Sequence, residues 1–157
     1  MPTDRRVRIT TERVREALFG VLAPEIPGAR VLDLYAGSGV MGLEALSRGA
    51  KSVDFVELAP ASLRAIRSNV VALGVRDRTR VYRGDAMRFV ARLAERSFDI
   101  ALADPPFSTD QAARLVGVFR ERAFAKTLAI EHPSTLTCAG GETRRYGDVS
   151  LTICYAP

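Results

Sequence analysis

Three short stretches carry residue types at spacings that do chemistry. The first is DLYAGSGVMGLEA, where Gly37, Gly39 and Gly42 spell G-x-G-x-x-G between an apolar run and a helical pattern. In that setting glycines permit a tight strand-to-helix turn and let a ligand lie against bare backbone, which makes Tyr35, Gly37, Ser38 and Gly39 candidate cofactor contacts. Glu57 ends the next apolar run twenty positions after Gly37 and suits the two ribose hydroxyls of a nucleotide-bearing cofactor. These residues alone leave NAD, FAD and S-adenosylmethionine open.

Asp33 separates them. It stands four residues ahead of Gly37, where a carboxylate would face and repel the pyrophosphate of a dinucleotide in a partly desolvated cleft. S-adenosylmethionine presents an ammonium and a sulfonium instead, which Asp33 attracts directly or through water. The competing reading has Asp33 capping the loop through backbone N–H groups. In the second stretch, RGDAM, Asp85 can accept from an adenine amine while Ala86 offers its backbone N–H to the ring. Asp85 is also a good helix N-cap, and the two roles are compatible.

The third stretch is Asp104-Pro105-Pro106-Phe107, at the end of the apolar run FDIALA. Two prolines fix φ at successive residues and remove two donors, so the turn is stiff and its carbonyls are free to accept. Methylation of a planar exocyclic amine needs acceptors that hold its N–H groups and aim the lone pair, plus an aromatic face for the base. Asp104 and the Pro105 carbonyl supply the acceptors, and Phe107 supplies the face. As positive charge builds on the nitrogen, a carboxylate within hydrogen-bond reach stabilises it and can take the proton.

Elements that bring these stretches together are legible in the apolar periodicity. Residues 11–22 place Val14, Leu18 and Val21 on one helical face, with Thr11 as cap. Strand RVLDLYA, a helix from about Met41 to Ser47 and strand SVDFVEL follow. PASLRAIRSNVVAL is a helix that opens on proline and stops at Gly74. Strand RVYRGD, helix AMRFVARLAE, strand FDIALADPPF, a helix over about Asp110–Arg122, strand TLAIEH and two strand signals around GETRRYG and VSLTICY complete the chain. This alternation implies an α/β fold: a doubly wound, mostly parallel sheet with a C-terminal antiparallel hairpin. Strands one and four are neighbours at the switch point of such a sheet, which puts Asp104 beside the glycine loop.

Length and charge set the remaining expectations. The 157 residues suit one domain, divided here into a basic arm at 1–10 and a single domain at 11–157. A hydrophobic fraction of 47% with 26% charged residues excludes disorder as the main state. The net charge is +5, and Arg5, Arg6, Arg8, Arg13 and Arg15 stand against only Asp4 and Glu12 at the amino end. Such an arginine cluster seats nucleic-acid phosphates, or else forms a solvated helix face. No apolar run has the length of a membrane span or the form of a signal peptide, so the cytoplasm is the expected compartment. Cys138 and Cys154 read as buried hydrophobes and His132 as a strand-end residue, so no metal is expected.

Taken together, VREALFGVL, VLDLYAGSGVMGLEALSRGA, FVEL, GDAM, DPPF and RYGDVSLTICY resemble the bacterial family, often called RsmD, that methylates a guanine N(2) amine in 16S ribosomal RNA. The resemblance implies a seven-stranded Rossmann-like class I methyltransferase fold, S-adenosyl-L-methionine as donor, and 16S rRNA or a small-subunit assembly intermediate as substrate. By position it puts Asp33, Gly37 and Gly39 on the cofactor loop, Glu57 on the ribose and Asp85 on the adenine. Asp104 and Phe107 fall on the acceptor-base turn. Family members carry a longer basic, glycine-containing segment ahead of R-P-T-[ST]-D-[RK]-V-R-E, where this chain reads Arg8-Ile9-Thr10-Thr11-Glu12-Arg13-Val14-Arg15-Glu16. Three alternatives stand behind this reading: an amino-methyltransferase acting on DNA adenine or cytosine or on protein glutamine, an inactive RNA-binding relative, and an NAD-dependent oxidoreductase. Asp33 and DPPF disfavour the last.

Overall fold

The computed structural model describes residues 5–107 and 109–157, with side chains from Glu12 onward apart from Ser108. The first four residues of the expected basic arm, and the side chains of Arg5, Arg6 and Arg8, lie outside the described residues.

Seven strands, β1 (Arg30–Leu34), β2 (Ser52–Glu57), β3 (Thr79–Arg83), β4 (Phe98–Ala103), β5 (Ala125–Pro133), β6 (Glu142–Tyr146) and β7 (Val149–Tyr155), join in one sheet. Their order is β3-β2-β1-β4-β5-β7-β6. The first five are parallel, and β7 runs antiparallel to both neighbours, β5 and β6. This is the Rossmann-like methyltransferase arrangement with its C-terminal antiparallel strands, and β1 and β4 are adjacent as the switch-point reading requires.

Helices cover both faces. On one lie α1 (Arg5–Leu22), α2 (Val40–Ser47) and α3 (Pro60–Leu73), whose Val14, Leu18, Phe19, Ala45 and Ile66 pack with Val31, Val53, Phe55 and Leu102. On the other lie α4 (Ala86–Ala91) and α5 (Gln111–Glu121), whose Val90, Leu115 and Phe119 pack with Leu32, Val56, Ala101 and Leu128. Because β1 is covered on both sides, all four residues from Val31 to Leu34 are buried, Asp33 among them. A continuous apolar run broken by one acid is the signature of such a strand.

Three boundaries differ from the sequence expectation. Helix α1 begins at Arg5 rather than Thr11, so residues 5–10 continue a helix. Thr10 and Thr11 are poor helix formers, but each costs under ~1 kcal/mol against the docking of the helix through Val14, Leu18 and Leu22. Helix α4 stops at Ala91 because the Arg122 guanidinium donates to the carbonyls of Val90 and Ala91, at 2.9 and 2.6 Å, and takes the place of another turn. Strand β4 stops at Ala103, which leaves the whole Asp-Pro-Pro-Phe segment in the loop.

Candidate active site

The cofactor side is built around the loop after β1. Gly39 has φ +86° and sits at the N-cap of α2, where it has no side chain to satisfy the helix's first N–H groups. Asp33 supplies the missing cap from the neighbouring strand: its Oδ2 accepts from Gly42 N–H at 2.9 Å. Gly42 is required by close approach, since a Cβ there would stand 2.5 Å from the Phe55 ring and 2.7 Å from Val53. Asp33 is only 3% exposed, and burial, set against the Gly42 bond, pushes its carboxyl up to about 8. The loop-anchoring role foreseen for Asp33 is therefore the contact it makes in this structure.

Glu57 binds the loop from the next strand. Its Oε1 accepts from Gly37 N–H at 2.7 Å, and its Oε2 accepts from the N–H groups of Leu58 and Ala59 at 2.9 and 2.8 Å. Asn69 of α3 donates to the Ser38 carbonyl at 3.1 Å and fixes the far side of the loop. Tyr35, at φ +57°, donates its hydroxyl to Gln111 Oε1 at 2.7 Å. Burial, and secondarily the Asp85 charge, push that phenol up to about 12.

A cleft of about 320 Å³ lies along the carboxyl edge of the sheet, lined by Tyr35, Glu57, Leu58, Asp85, Ala86, Asp104, Pro106 and Gln111 among others. Asp85 caps α4 by accepting from Arg88 N–H at 2.9 Å through Oδ2. Ala86 is the first residue of that helix, so its N–H has no partner within the helix, and the residue lines the cleft. Beyond Asp85 the cleft opens into a wider groove of about 960 Å³ bordered by Arg83, Arg88 and Arg92.

The acceptor side is the turn after β4. Pro105 is buried, while Pro106 and Phe107 are exposed, Phe107 at 45%. The Pro106 carbonyl is occupied within the turn by the N–H and hydroxyl of Thr109, at 3.3 and 2.9 Å. Asp104, exposed and one residue past the end of β4, opens on the cleft, and Ala103 pairs with Ile130, the residue before Glu131 in β5. Desolvation raises both carboxyls, Glu131 to about 8. Arg15 of α1 acts on Glu131 in the opposite direction.

The structure thus brings Tyr35, Glu57, Asp85, Ala86 and Asp104 to one cleft; Gly37 is tied to it through Glu57, whereas Asp33, Ser38, Gly39, Pro105 and Phe107 are not among the residues that line it. Neither described arginine of the amino-terminal cluster lines that cleft: Arg13 lies over the Tyr146 ring at 5.5 Å, and the Arg15 charge lowers the Glu131 carboxyl against its desolvation. Three residues escaped the sequence reading. Leu58 and Gln111 carry no local signal, whereas Glu131 shows as the one acid inside the apolar run TLAIEH.

Comparison with known proteins gives this geometry a family. Residues 1–145 match the family described as Conserved hypothetical protein 95. The ribosomal RNA small subunit methyltransferase D of Escherichia coli (strain K12) is 41% identical over 107 residues, covering 68% of this chain and 53% of that protein. Its counterpart from Haemophilus influenzae is 33% identical over 131 residues, covering 82% of this chain and 68% of that one. The chain therefore spans about half to two thirds of the length of these curated relatives. Among solved structures, a hypothetical protein of Thermus thermophilus superposes with a TM-score of 0.79 at 32% identity, over 92% of this chain and 85% of that one. A Salinibacter ruber RNA methyltransferase solved with S-adenosyl-L-homocysteine shares the fold at a TM-score of 0.72 but only 14% identity, over 100% of this chain and 94% of that one. The chain belongs to the Conserved hypothetical protein 95 family, the family of the ribosomal RNA small subunit methyltransferases D.

Proposed function

We propose that the protein transfers a methyl group from S-adenosyl-L-methionine to the exocyclic N(2) amine of a guanine in 16S ribosomal RNA, acting in the cytoplasm on the small subunit or its assembly intermediates. The observation that carries this reading is that Asp104 and Pro106 line the same cleft as Glu57, Asp85 and Ala86. A rigid amine-binding turn and a nucleoside-binding wall meet in one space.

The residues present fit the cofactor. Glu57 takes the ribose hydroxyls, Asp85 and the Ala86 N–H take the adenine edge, and Leu58, 57% exposed, gives the ring an apolar wall. The bare backbone of Gly37 and Gly39 admits the remainder, with Asp33 beneath it. When bound, the cofactor supplies a sulfonium methyl: the new N–C bond forms with the amine lone pair as the C–S bond breaks and its pair stays on sulfur.

The chain's own part is alignment and charge. Asp104 and the Pro105 carbonyl accept the amine's N–H groups and direct its lone pair along the line of attack, and Phe107 stacks on the flipped base. The Asp104 carboxylate stabilises the positive charge that develops on nitrogen. Arg5, Arg6, Arg8, Arg13 and Arg15 contribute phosphate contacts from the α1 end.

Two measurements test this. Calorimetry is expected to give micromolar S-adenosylhomocysteine binding and none with NAD. Tritiated methyl donor, incubated with small subunits from a strain lacking the gene, is expected to label N(2)-methylguanosine in 16S RNA. Label on adenine, on DNA or on protein glutamine, or no label, overturns the reading.

A further inference from the structure

We propose that the groove between β3 and α4 holds a single-stranded stretch of RNA next to the nucleotide that enters the cleft, with its phosphates on Arg83, Arg88 and Arg92 and its bases against Tyr82 and Phe89. The inference deepens the methyl-transfer reading and rests on it for RNA as the substrate.

Charge sets this side of the molecule apart. Residues 60–93 hold eight arginines against Asp77 and Asp85 alone, a surplus larger than the net +5 of the whole chain. The fold sorts the eight. Arg78 is tied down, its guanidinium donating to the Ala50 carbonyl at 2.6 Å. Arg80 lines a separate pocket with Arg30 and Asp54, while Arg64 and Arg67 lie on α3 and Arg76 shortly after it. Arg83 at the end of β3, Arg88 on α4 and Arg92 at its C-cap converge on the one groove. All three are exposed, and among the described residues none has a carboxylate within ion-pair distance. The one acid lining the groove, Asp85, directs an oxygen to the Arg88 N–H. Like charges that converge without a counter-ion repel one another, and a run of phosphates removes that repulsion.

Protection of the sheet edge accounts for Arg83 alone. β3 is an outermost strand, where a charged side chain blocks pairing with another sheet, but Arg88 and Arg92 belong to the helix and guard no edge.

The floor selects the kind of polyanion. Tyr82 and Phe89 meet there with ring centroids 5.1 Å apart and planes tilted by 53°, and Leu58 and Leu93 extend the apolar surface. An acidic protein segment or a duplex has charge for the rim and nothing for this floor: the one lacks flat bases, and the other keeps its bases stacked inside. A single strand offers phosphates to the arginines and base faces to the aromatic rings. The groove also runs into the cleft, sharing Leu58, Gly84 and Asp85 with it. At about 960 Å³ against about 320 Å³ it takes a longer occupant than the cleft does. A strand laid along it leads to the space that Asp104 and Pro106 line.

The test is binding of a fluorescein-labelled, unstructured RNA of about 12 nucleotides, followed by anisotropy between about 50 and 200 mM salt. Joint replacement by Arg83→Gln, Arg88→Gln and Arg92→Gln is expected to weaken binding roughly 30-fold and to flatten the slope of log affinity against log salt by about 2, at ~0.7 per phosphate contact. Arg64→Gln, Arg67→Gln and Arg76→Gln together remove the same charge from the α3 side and are expected to change that slope by less than about 0.5. Phe89→Leu keeps an apolar side chain and is expected to weaken the single strand roughly 5-fold or more at an unchanged slope, with no effect on a duplex of the same length. Independently of any variant, 4-thiouridine in the strand is expected on irradiation to cross-link within residues 82–93. A wild type that fails to bind the strand, equal losses in the two triple variants, cross-links confined elsewhere, or displacement by polyglutamate as readily as by unlabelled RNA overturns the proposal. None of these measurements needs methyl transfer. RNA held in the groove without formation of N(2)-methylguanosine therefore sinks the methyl-transfer reading alone, and methylation with an unchanged KM for RNA in the first triple variant sinks the groove alone.

Discussion

The two halves of the cleft are built by opposite means. On the β1–β2–β3 side, backbone amides hold the carboxylates: Asp33 by Gly42, Glu57 by Gly37, Leu58 and Ala59, and Asp85 by Arg88. On the β4–β5 side, Asp104 and Phe107 stand open to solvent and Glu131 is half-buried. Backbone donors fix a carboxyl's place, which suits a wall that must match the same small molecule at every turnover. Exposed groups on a stiff turn are open to an incoming base, which suits a side that receives the acceptor. In the proposed reading, the first half serves binding and the second the chemistry.

Three substitutions break or sharpen that contrast. The largest effect is expected for Asp104→Ala, which removes the amine's acceptor. Turnover should fall by at least ~100-fold while S-adenosylhomocysteine affinity by calorimetry stays within error; a matched loss of affinity would merge the two halves. Glu57→Ala is expected to do the reverse: donor affinity falls by roughly 10-fold or more, from the loss of charged hydrogen bonds, while kcat at saturating donor is kept. Loss of kcat at saturation would place Glu57 in the chemistry.

The smallest effect concerns stability. The Asp33 carboxyl is held up at about 8 in the folded chain against an ordinary 3.8, so folding takes up a proton between those values. Its contribution to stability is present below pH 3.8 and is lost as pH rises through 8. Asp33→Asn keeps an acceptor for Gly42 N–H and has nothing to ionise. In urea unfolding, the stability of the variant relative to wild type is expected to grow from pH 5 to pH 9 by on the order of 1 kcal/mol or more. A constant difference shows that Asp33 is ionised throughout and is held by the loop as firmly as Glu57.

Much of the first half was legible before any fold was known, because its determinants are local. Gly39 and Gly42 are demanded by a positive φ and by close packing on β2. Both needs arise within a few residues of the turn; Asp33 interrupts an apolar run while Glu57 and Asp85 stand at the ends of theirs, and the alternation of those runs with helices fixes which edge they share. The rigid turn from Asp104 to Phe107 was equally plain from two consecutive prolines. The neighbours of Glu131 were not. Period-two alternation tells which face of its strand Glu131 occupies, but only the ladder register tells whose side chain it meets, and that register is set by packing across the whole sheet. The Tyr35–Gln111 bond, the helix stop imposed on α4 by Arg122, and the insertion of β7 between β5 and β6 have the same origin. Each joins segments far apart in the chain, and such contacts follow from the lowest-energy burial of the entire core. Sequence by itself determined the fold class, the glycine loop and the stiff turn after β4, since steric limits on single residues decide them. Tertiary structure alone decided which carboxyl stands beside which, because a pairing between strands is a property of the sheet and of no residue taken singly.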